Sequence, residues 1–287
     1  MSIADLRYPT ESQERTGDRW SQWSSQPMIE MSALDTYQFV KAMIPSPGQR
    51  ILEIGCGNGY LTLELAREGH MVVGLDKSQD ILAVAEQTRK AHPETPGFGK
   101  LDYICADASM WSAGESSFDV VVLNRTLHHL HHFQAILGNI QRLLIPNGLL
   151  LCQDYAYDRL NDRTASWVYG MQRLLFLSDL STENPTITAN DLSSIESLKT
   201  AWFEKAEKRE HRLNRYDEMM QAFSLAFTQQ LVSWVPYLFV YIGNGIRSVS
   251  PEKERALIAF LKNMEQHGID TEMIQSVGFR YVGTVQK

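Results

Sequence analysis

Between residues 50 and 155 the chain alternates short, almost continuous apolar runs with stretches of helical spacing. RILEIGCG (50–57), MVVGLD (71–76), LDYICADA (101–108), FDVVVLN (118–124) and GLLLCQDY (148–155) are the apolar runs. Runs of this length without polar alternation predict strands buried on both faces. YLTLELAREG (60–69) spaces Leu61, Leu65 and Ala66 helically and stops at Gly69. SQDILAVAEQTRKAH (78–92) opens on Ser78, a good N-cap, and FQAILGNIQRLLI (133–145) is amphipathic and closed by Pro146, Asn147 and Gly148. Each predicts a helix. The alternation implies an α/β fold: a doubly wound, mostly parallel sheet whose ligand lies beyond the carboxyl ends of the strands.

After residue 155 the pattern changes. Residues 156–233 read as mostly helical, with polar punctuation at STENPTITAND (181–191), and are expected to form an inserted helical cap. SWVPYLFVYIG (233–243) is expected to return to the sheet as a strand. A helix follows over 251–267, and SVGFRYVGTVQK (276–287) alternates Phe279, Tyr281 and Val282 as a final strand. The division this predicts is a lid segment (1–34), an α/β core (35–155), the cap (156–233) and a completion of the core (234–287).

Composition narrows the function. The net charge of −7 argues against phosphate-backbone binding, and the densest basic run, KAEKREHR (205–212), is diluted by two Glu. LVSWVPYLFVYIG (231–243) is too short and too interrupted by Pro236 to span a bilayer. Neither a nucleic-acid nor a membrane partner is expected. Cys56, Cys105 and Cys152 include no CxxC pair, and the N-terminus lacks an apolar core, which predicts a cytoplasmic setting.

The sharpest motif is Glu53-Ile54-Gly55-Cys56-Gly57-Asn58-Gly59, directly after the first strand. Glycines let a backbone turn tightly against a ligand. A dinucleotide fingerprint needs G-x-G-x-x-G, but Tyr60 stands where its third glycine should be. Glu53 would repel a pyrophosphate and suit a ligand carrying a sulfonium and an ammonium.

At these residues the chain resembles the class I S-adenosylmethionine-dependent methyltransferases, whose first motif is an acidic residue followed by G-x-G-x-G. LLIPNGLLL (143–151) resembles that family's turn into strand five, with Asn147 in place of a glycine. The resemblance implies a seven-stranded Rossmann-like sheet and S-adenosyl-L-methionine as cofactor, converted to S-adenosyl-L-homocysteine. Asp76, 21 residues past Gly55, would take the ribose hydroxyls. Asp107 and the Ala108 amide would meet the adenine. Glu53, Gly55, Cys56, Gly57, Asn58, Gly59, Lys77, Asn124 and Arg125 complete the implied cofactor set. The activity implied is methyl transfer to O, N, C or S of a small molecule or short peptide. A cofactor-binding protein that does not transfer methyl, or a nicotinamide-dependent oxidoreductase, is the alternative. An N-terminal segment with Trp20 and Trp23 is implied to fold over the methionine end.

LNRTLHHLHHF (123–133) holds four histidines at the mouth where the methyl group would project. His128 and His132 share a helical spacing, but two histidines do not make a metal site, and no metal is expected. His128 or His129 is a candidate base or substrate orienter, or simply packs at a helix start. Asp154 is a candidate for a substrate role. Arg125 would clamp an anionic group, or pair with a neighbouring acid such as Asp154.

Overall fold

The computed structural model describes residues 26–92, 94–181, 194–207, 212–243, 245–247 and 249–285. Trp20 and Trp23, most of STENPTITAND and the middle of KAEKREHR lie outside the described residues.

The chain enters on α1 (Gln26–Met43). It then alternates β1 (Arg50–Ile54), α2 (Tyr60–Arg67), β2 (Met71–Asp76), α3 (Gln79–Ala91), β3 (Lys100–Cys105) and β4 (Phe118–Asn124). A single 3₁₀ turn, Leu127–His129, leads to α4 (Phe133–Leu143) and β5 (Leu144–Tyr155). The predicted punctuation is present. Ser78 caps α3 by accepting from the Ile81 N–H, and Asn147 takes a left-handed φ of 60° in the exposed start of β5, ahead of its buried run.

Between β5 and the next strand the described chain is helical: a 3₁₀ turn at Tyr157–Arg159, α5 (Asp162–Leu177), α6 (Ser194–Glu207) and α7 (Tyr216–Ala226). The expected strand at 233–243 is corrected. The return to the sheet is β6 (Thr228–Val235), and Leu238–Gly243 is a short helix, α8. Pro236 ends the strand because it has no N–H for a ladder, and LFVYIG is a short apolar run that suits a buried helix as well as a strand. The last elements are α9 (Pro251–Asp270), which continues through Gly268, and β7 (Gly278–Thr284).

The seven strands form one sheet in the order β3-β2-β1-β4-β5-β7-β6. The first five are parallel, and β7 runs antiparallel between β5 and β6. Leu52, Val121 and Leu150 pack on one face against α4 and α7. Ile51, Val120 and Leu151 pack on the other against α1 and α2. Each such fully buried aliphatic side chain contributes about 1.5–3 kcal/mol of transfer free energy. A third cluster joins α5, α6, α8 and α9 around Leu198, Phe239 and Leu261, with Met28 of α1. Strand order reverses between β1 and β4, and that is where an open α/β sheet leaves a crevice. No described helix is long and apolar enough to cross a membrane.

Candidate active site

A cleft of about 240 Å³ opens at this reversal. Its walls include Gly55 from the β1 loop, Asp76 and Lys77 after β2, Asp107 and Ala108 beyond β3, and Arg125 after β4. Six of the predicted cofactor residues, from four strand ends, therefore share one cleft. Glu53, Cys56, Gly57, Asn58, Gly59 and Asn124 are not among its lining residues.

The glycine loop is strapped to β2. The Gly55 and Cys56 N–H groups donate to the Leu75 carbonyl at 2.7 and 3.1 Å, and the Gly57 N–H donates to Asp76 Oδ2 at 3.0 Å. Gly55 has a φ of 72°, and a Cβ there would overlap the Thr126 side chain. The backbone at Gly55 is thus pressed against Thr126, whose Oγ1 donates to the Asn124 carbonyl at 2.9 Å. Cys56 and Asn58 are buried behind the loop, and burial pushes the Cys56 thiol up.

Asp76 Oδ1 accepts from the Ser78 N–H at 3.0 Å, so the carboxylate is fixed at the cleft edge by two backbone donors. Asp107 stands two residues beyond β3 and accepts from the Ser109 hydroxyl and N–H at 2.6 and 2.8 Å. Those two bonds hold its carboxyl below the usual range. Asn139 of α4 donates to the Ala108 and Trp111 carbonyls at 3.1 and 2.8 Å and sets this turn.

Two buried acceptors are left over. Glu53 is 1% exposed; burial, reinforced by Asp76, raises its carboxyl well above the usual range, partly countered by the Thr62 N–H. Its Oε2 has no hydrogen-bond partner among the described residues. Asn124 donates to the Tyr60 hydroxyl at 3.1 Å, but its Oδ1 is also without a partner. Buried acceptors without donors are costly unless a ligand supplies them. Two of them, at the ends of the adjacent strands β1 and β4, fit a cation.

The histidine segment divides. His129, His131 and His132 line the cleft, whereas His128 is 5% exposed and turned onto Asp154. His128 Nδ1 meets Asp154 Oδ1. The His128 N–H donates to Asp154 Oδ2 at 3.3 Å and the Tyr155 N–H to Oδ1 at 2.8 Å. The His128 ring lies 4.0 Å from His129 and edge-on to Tyr155 at 5.1 Å. Asn214, ahead of α7, fixes the turn: its N–H donates to the His128 carbonyl at 2.9 Å, and its side chain donates to the Leu127 and Leu130 carbonyls at 2.7 and 2.9 Å. Among the described residues no three His, Cys, Asp or Glu come together as a metal site.

The Asp154 carboxylate bonds His128 and the Tyr155 N–H, while Arg125 adopts a left-handed φ of 52° with its guanidinium 5.3 Å over the Tyr237 ring. Tyr237 stacks on Tyr155 at 4.7 Å with 10° between planes, and Trp202 meets Tyr155 edge-on at 5.7 Å. Tyr237 and Asn214 were missed by sequence reasoning, and nothing local in the chain marks them. Thr126 had a signal, its place between two named site residues.

Residues 52–152 match the family model described as a methyltransferase domain. That segment is similar to methyltransferase domains. An O-methyltransferase of Pyrenophora dematioidea is 33% identical over 124 residues, covering 43% of this chain and 45% of that protein. A ubiquinone biosynthesis O-methyltransferase of Cereibacter sphaeroides is 35% identical over 113 residues, covering 39% and 44%. The chain thus spans less than half the length of these curated relatives. Among solved structures, the Haloferax volcanii protein in complex with the Trm112 methyltransferase activator superposes with a TM-score of 0.56 at 15% identity, covering 98% of this chain and 99% of that one. Haemonchus contortus phosphoethanolamine N-methyltransferase 2, bound to phosphomonomethylethanolamine and S-adenosylhomocysteine, gives 0.55 at 19% identity, with 88% and 52% covered. The [4+2]-cyclase SpnF gives 0.52 at 15%, with 94% and 84% covered. These structures share the methyltransferase fold with the chain, and the shared fold is what they establish.

Proposed function

We propose that the protein transfers a methyl group from S-adenosyl-L-methionine to a hydroxyl oxygen of a small molecule. The observation that carries the oxygen acceptor is the buried His128–Asp154 pair beside the cleft. A hydroxyl keeps its proton at neutral pH, so its attack on carbon is helped by a positioned base. The Asp154 carboxylate can only accept, which places the His128 proton on Nδ1 and leaves Nε2 free to take the acceptor's proton. Asp154 then stabilises the imidazolium. The O-methyltransferases among the curated relatives agree with this choice of atom.

S-adenosyl-L-methionine, when bound, supplies an electrophilic methyl group on a sulfonium. The orphaned Glu53 Oε2 and Asn124 Oδ1 suit its positive charges, and a cation bound there would draw the raised Glu53 carboxyl back toward its ionised form. Asp76 would accept from the ribose hydroxyls, and Asp107 with the Ala108 turn would hold the adenine edge. Gly55 lets the backbone approach the ligand. Burial of His128 and Asp154 keeps water from the reacting centre, so positioning and dryness supply most of the rate.

The free cysteines and the acidic balance support a cytoplasmic enzyme acting on a small molecule and not on nucleic acid. Because this fold also serves the [4+2]-cyclase SpnF, binding of the cofactor with another reaction stands as the second reading. The test is incubation with methyl-labelled S-adenosyl-L-methionine and a metabolite extract, read by mass spectrometry. Label on the oxygen of a small molecule is expected. Label only in protein or nucleic acid would replace the substrate class. No label with S-adenosyl-L-homocysteine binding intact would favour the second reading.

A further inference from the structure

We propose that Glu265 of α9 is a positioning residue for the methyl-transfer site, acting through Tyr237. Its carboxylate is fully buried. Oε1 accepts from the Tyr237 and Leu238 N–H groups at 2.8 and 2.9 Å, and Oε2 accepts from the Phe239 N–H at 2.7 Å. These are the donors at the start of α8, which no helix satisfies by itself. The helix has six residues and follows Pro236, so its own ladder is too short to hold it. Glu265 supplies what the ladder lacks.

What this fixes is the Tyr237 ring. Tyr237 lies under the Arg125 guanidinium at 5.3 Å and is stacked on Tyr155 at 4.7 Å. Arg125 lines the cofactor cleft, and the Tyr155 ring touches His128 edge-on. One side chain therefore joins the cofactor wall to the ring beside the dyad, and its backbone N–H is held from α9. From the other side Tyr237 is wedged against β7, where a Cβ on Gly278 would come within 2.9 Å of the Tyr237 Cβ. Lys262, one turn before Glu265, does not neutralise it by direct pairing: its ammonium bonds Asp35 at 2.7 Å.

The chemistry calls for a carboxylate. Three converging N–H donors need two acceptor oxygens. An amide offers one, and its NH₂ would face the third donor. A purely structural cap would change stability on substitution and leave KM and cofactor affinity where they were.

The proposal rests on the methyltransferase reading of the cleft, and a double-mutant cycle separates the two. Glu265→Gln, Tyr237→Leu and the double variant are compared with wild type. The readouts are S-adenosyl-L-homocysteine affinity by calorimetry and the saturation of label transfer over a dilution series of the metabolite extract. Glu265→Gln is expected to raise the apparent KM about five- to tenfold, with a smaller loss of S-adenosyl-L-homocysteine affinity through Arg125. The double variant should be no worse than the poorer single, as for residues acting on one element. Lowered thermal stability with unchanged KM and affinity, or effects that add in full to those of Tyr237→Leu, would overturn it. If Glu265→Gln does not fold, Glu265→Asp, which keeps the charge but shortens its reach, is read in the same way. If wild type binds S-adenosyl-L-homocysteine but labels nothing, the methyl-transfer reading fails. The cycle on affinity then decides whether Glu265 couples to the cleft.

Discussion

The Asp154 carboxylate closes on His128, although Arg125 stands at the same mouth. An Asp–Arg pair would leave a bare imidazole and a neutralised cation. The observed pairing instead gives an imidazole of defined tautomer and leaves the guanidinium over an aromatic ring. His128→Ala is therefore expected to lower turnover by about 10²-fold or more. S-adenosyl-L-homocysteine affinity should stay near wild type, because His128 does not line the cleft. Single-turnover kinetics beside calorimetry would decide, and a fully active variant would remove His128 from the mechanism.

Asp76 is held by two backbone N–H groups at the cleft edge. Asp76→Ala removes the proposed ribose acceptor and frees the Gly57 N–H. S-adenosyl-L-homocysteine affinity should fall by about 10-fold or more, on the order of 1–3 kcal/mol. Affinity equal to wild type would show that the nucleoside lies elsewhere.

The loop glycines make separable predictions. Gly55 and Gly57 both have positive φ, at 72° and 55°. A Cβ on Gly55 also overlaps Thr126, whereas one on Gly57 meets nothing within 4 Å. Gly57→Ala should cost only the left-handed strain, roughly 1–2 kcal/mol. Gly55→Ala should cost more and be partly relieved by Thr126→Ala, which removes the obstructing groups. Urea denaturation of the three variants checks the order, and equal losses would refute the packing argument.

Glu265 gives the chain a pH dependence. Burial raises its pKa from 4.5 to about 7, against the opposing pull of the three N–H groups. The folded value lies above the unfolded one, so its contribution to stability is complete below pH 4.5 and is lost as the pH rises through 7. Relative to Glu265→Gln, which does not titrate, wild type should lose roughly 2–4 kcal/mol across that window. Unfolding at pH 5 and pH 8 measures it. A stability difference between the two proteins that does not change with pH would place the titration outside the window.

Much of the sheet was legible because β1, β4 and the latter half of β5 are buried on both faces and carry near-continuous apolar runs. Ser78 and the Pro146-Asn147-Gly148 turn were legible because caps and left-handed turns select particular side chains locally. β6 was not: TQQLVSWV is an edge strand with exposed Gln229, Gln230 and Leu231, so its pattern is polar where the reading sought apolar. The cleft's wall from Gly55 to Arg125 followed from the strand ends read together with the family resemblance. Tyr237, Asn214 and Glu265 did not, because their roles come from contacts across the fold. Asn214 acts 84 to 87 positions from its partners.

The interior place of β7 has a consequence for how the chain is made. Ribosomes deliver β5 and β6 before the strand that separates them, so the nascent chain carries two open strand edges at once. Until Gly278–Thr284 emerges, β5 presents its unpaired amide and carbonyl row, a template for any other extended chain nearby. The helices between β5 and β6 are already synthesised by then. Assembly of this half of the molecule is thus set by the arrival of one late strand, and premature pairing of β5 with β6 is the misfold that the topology invites.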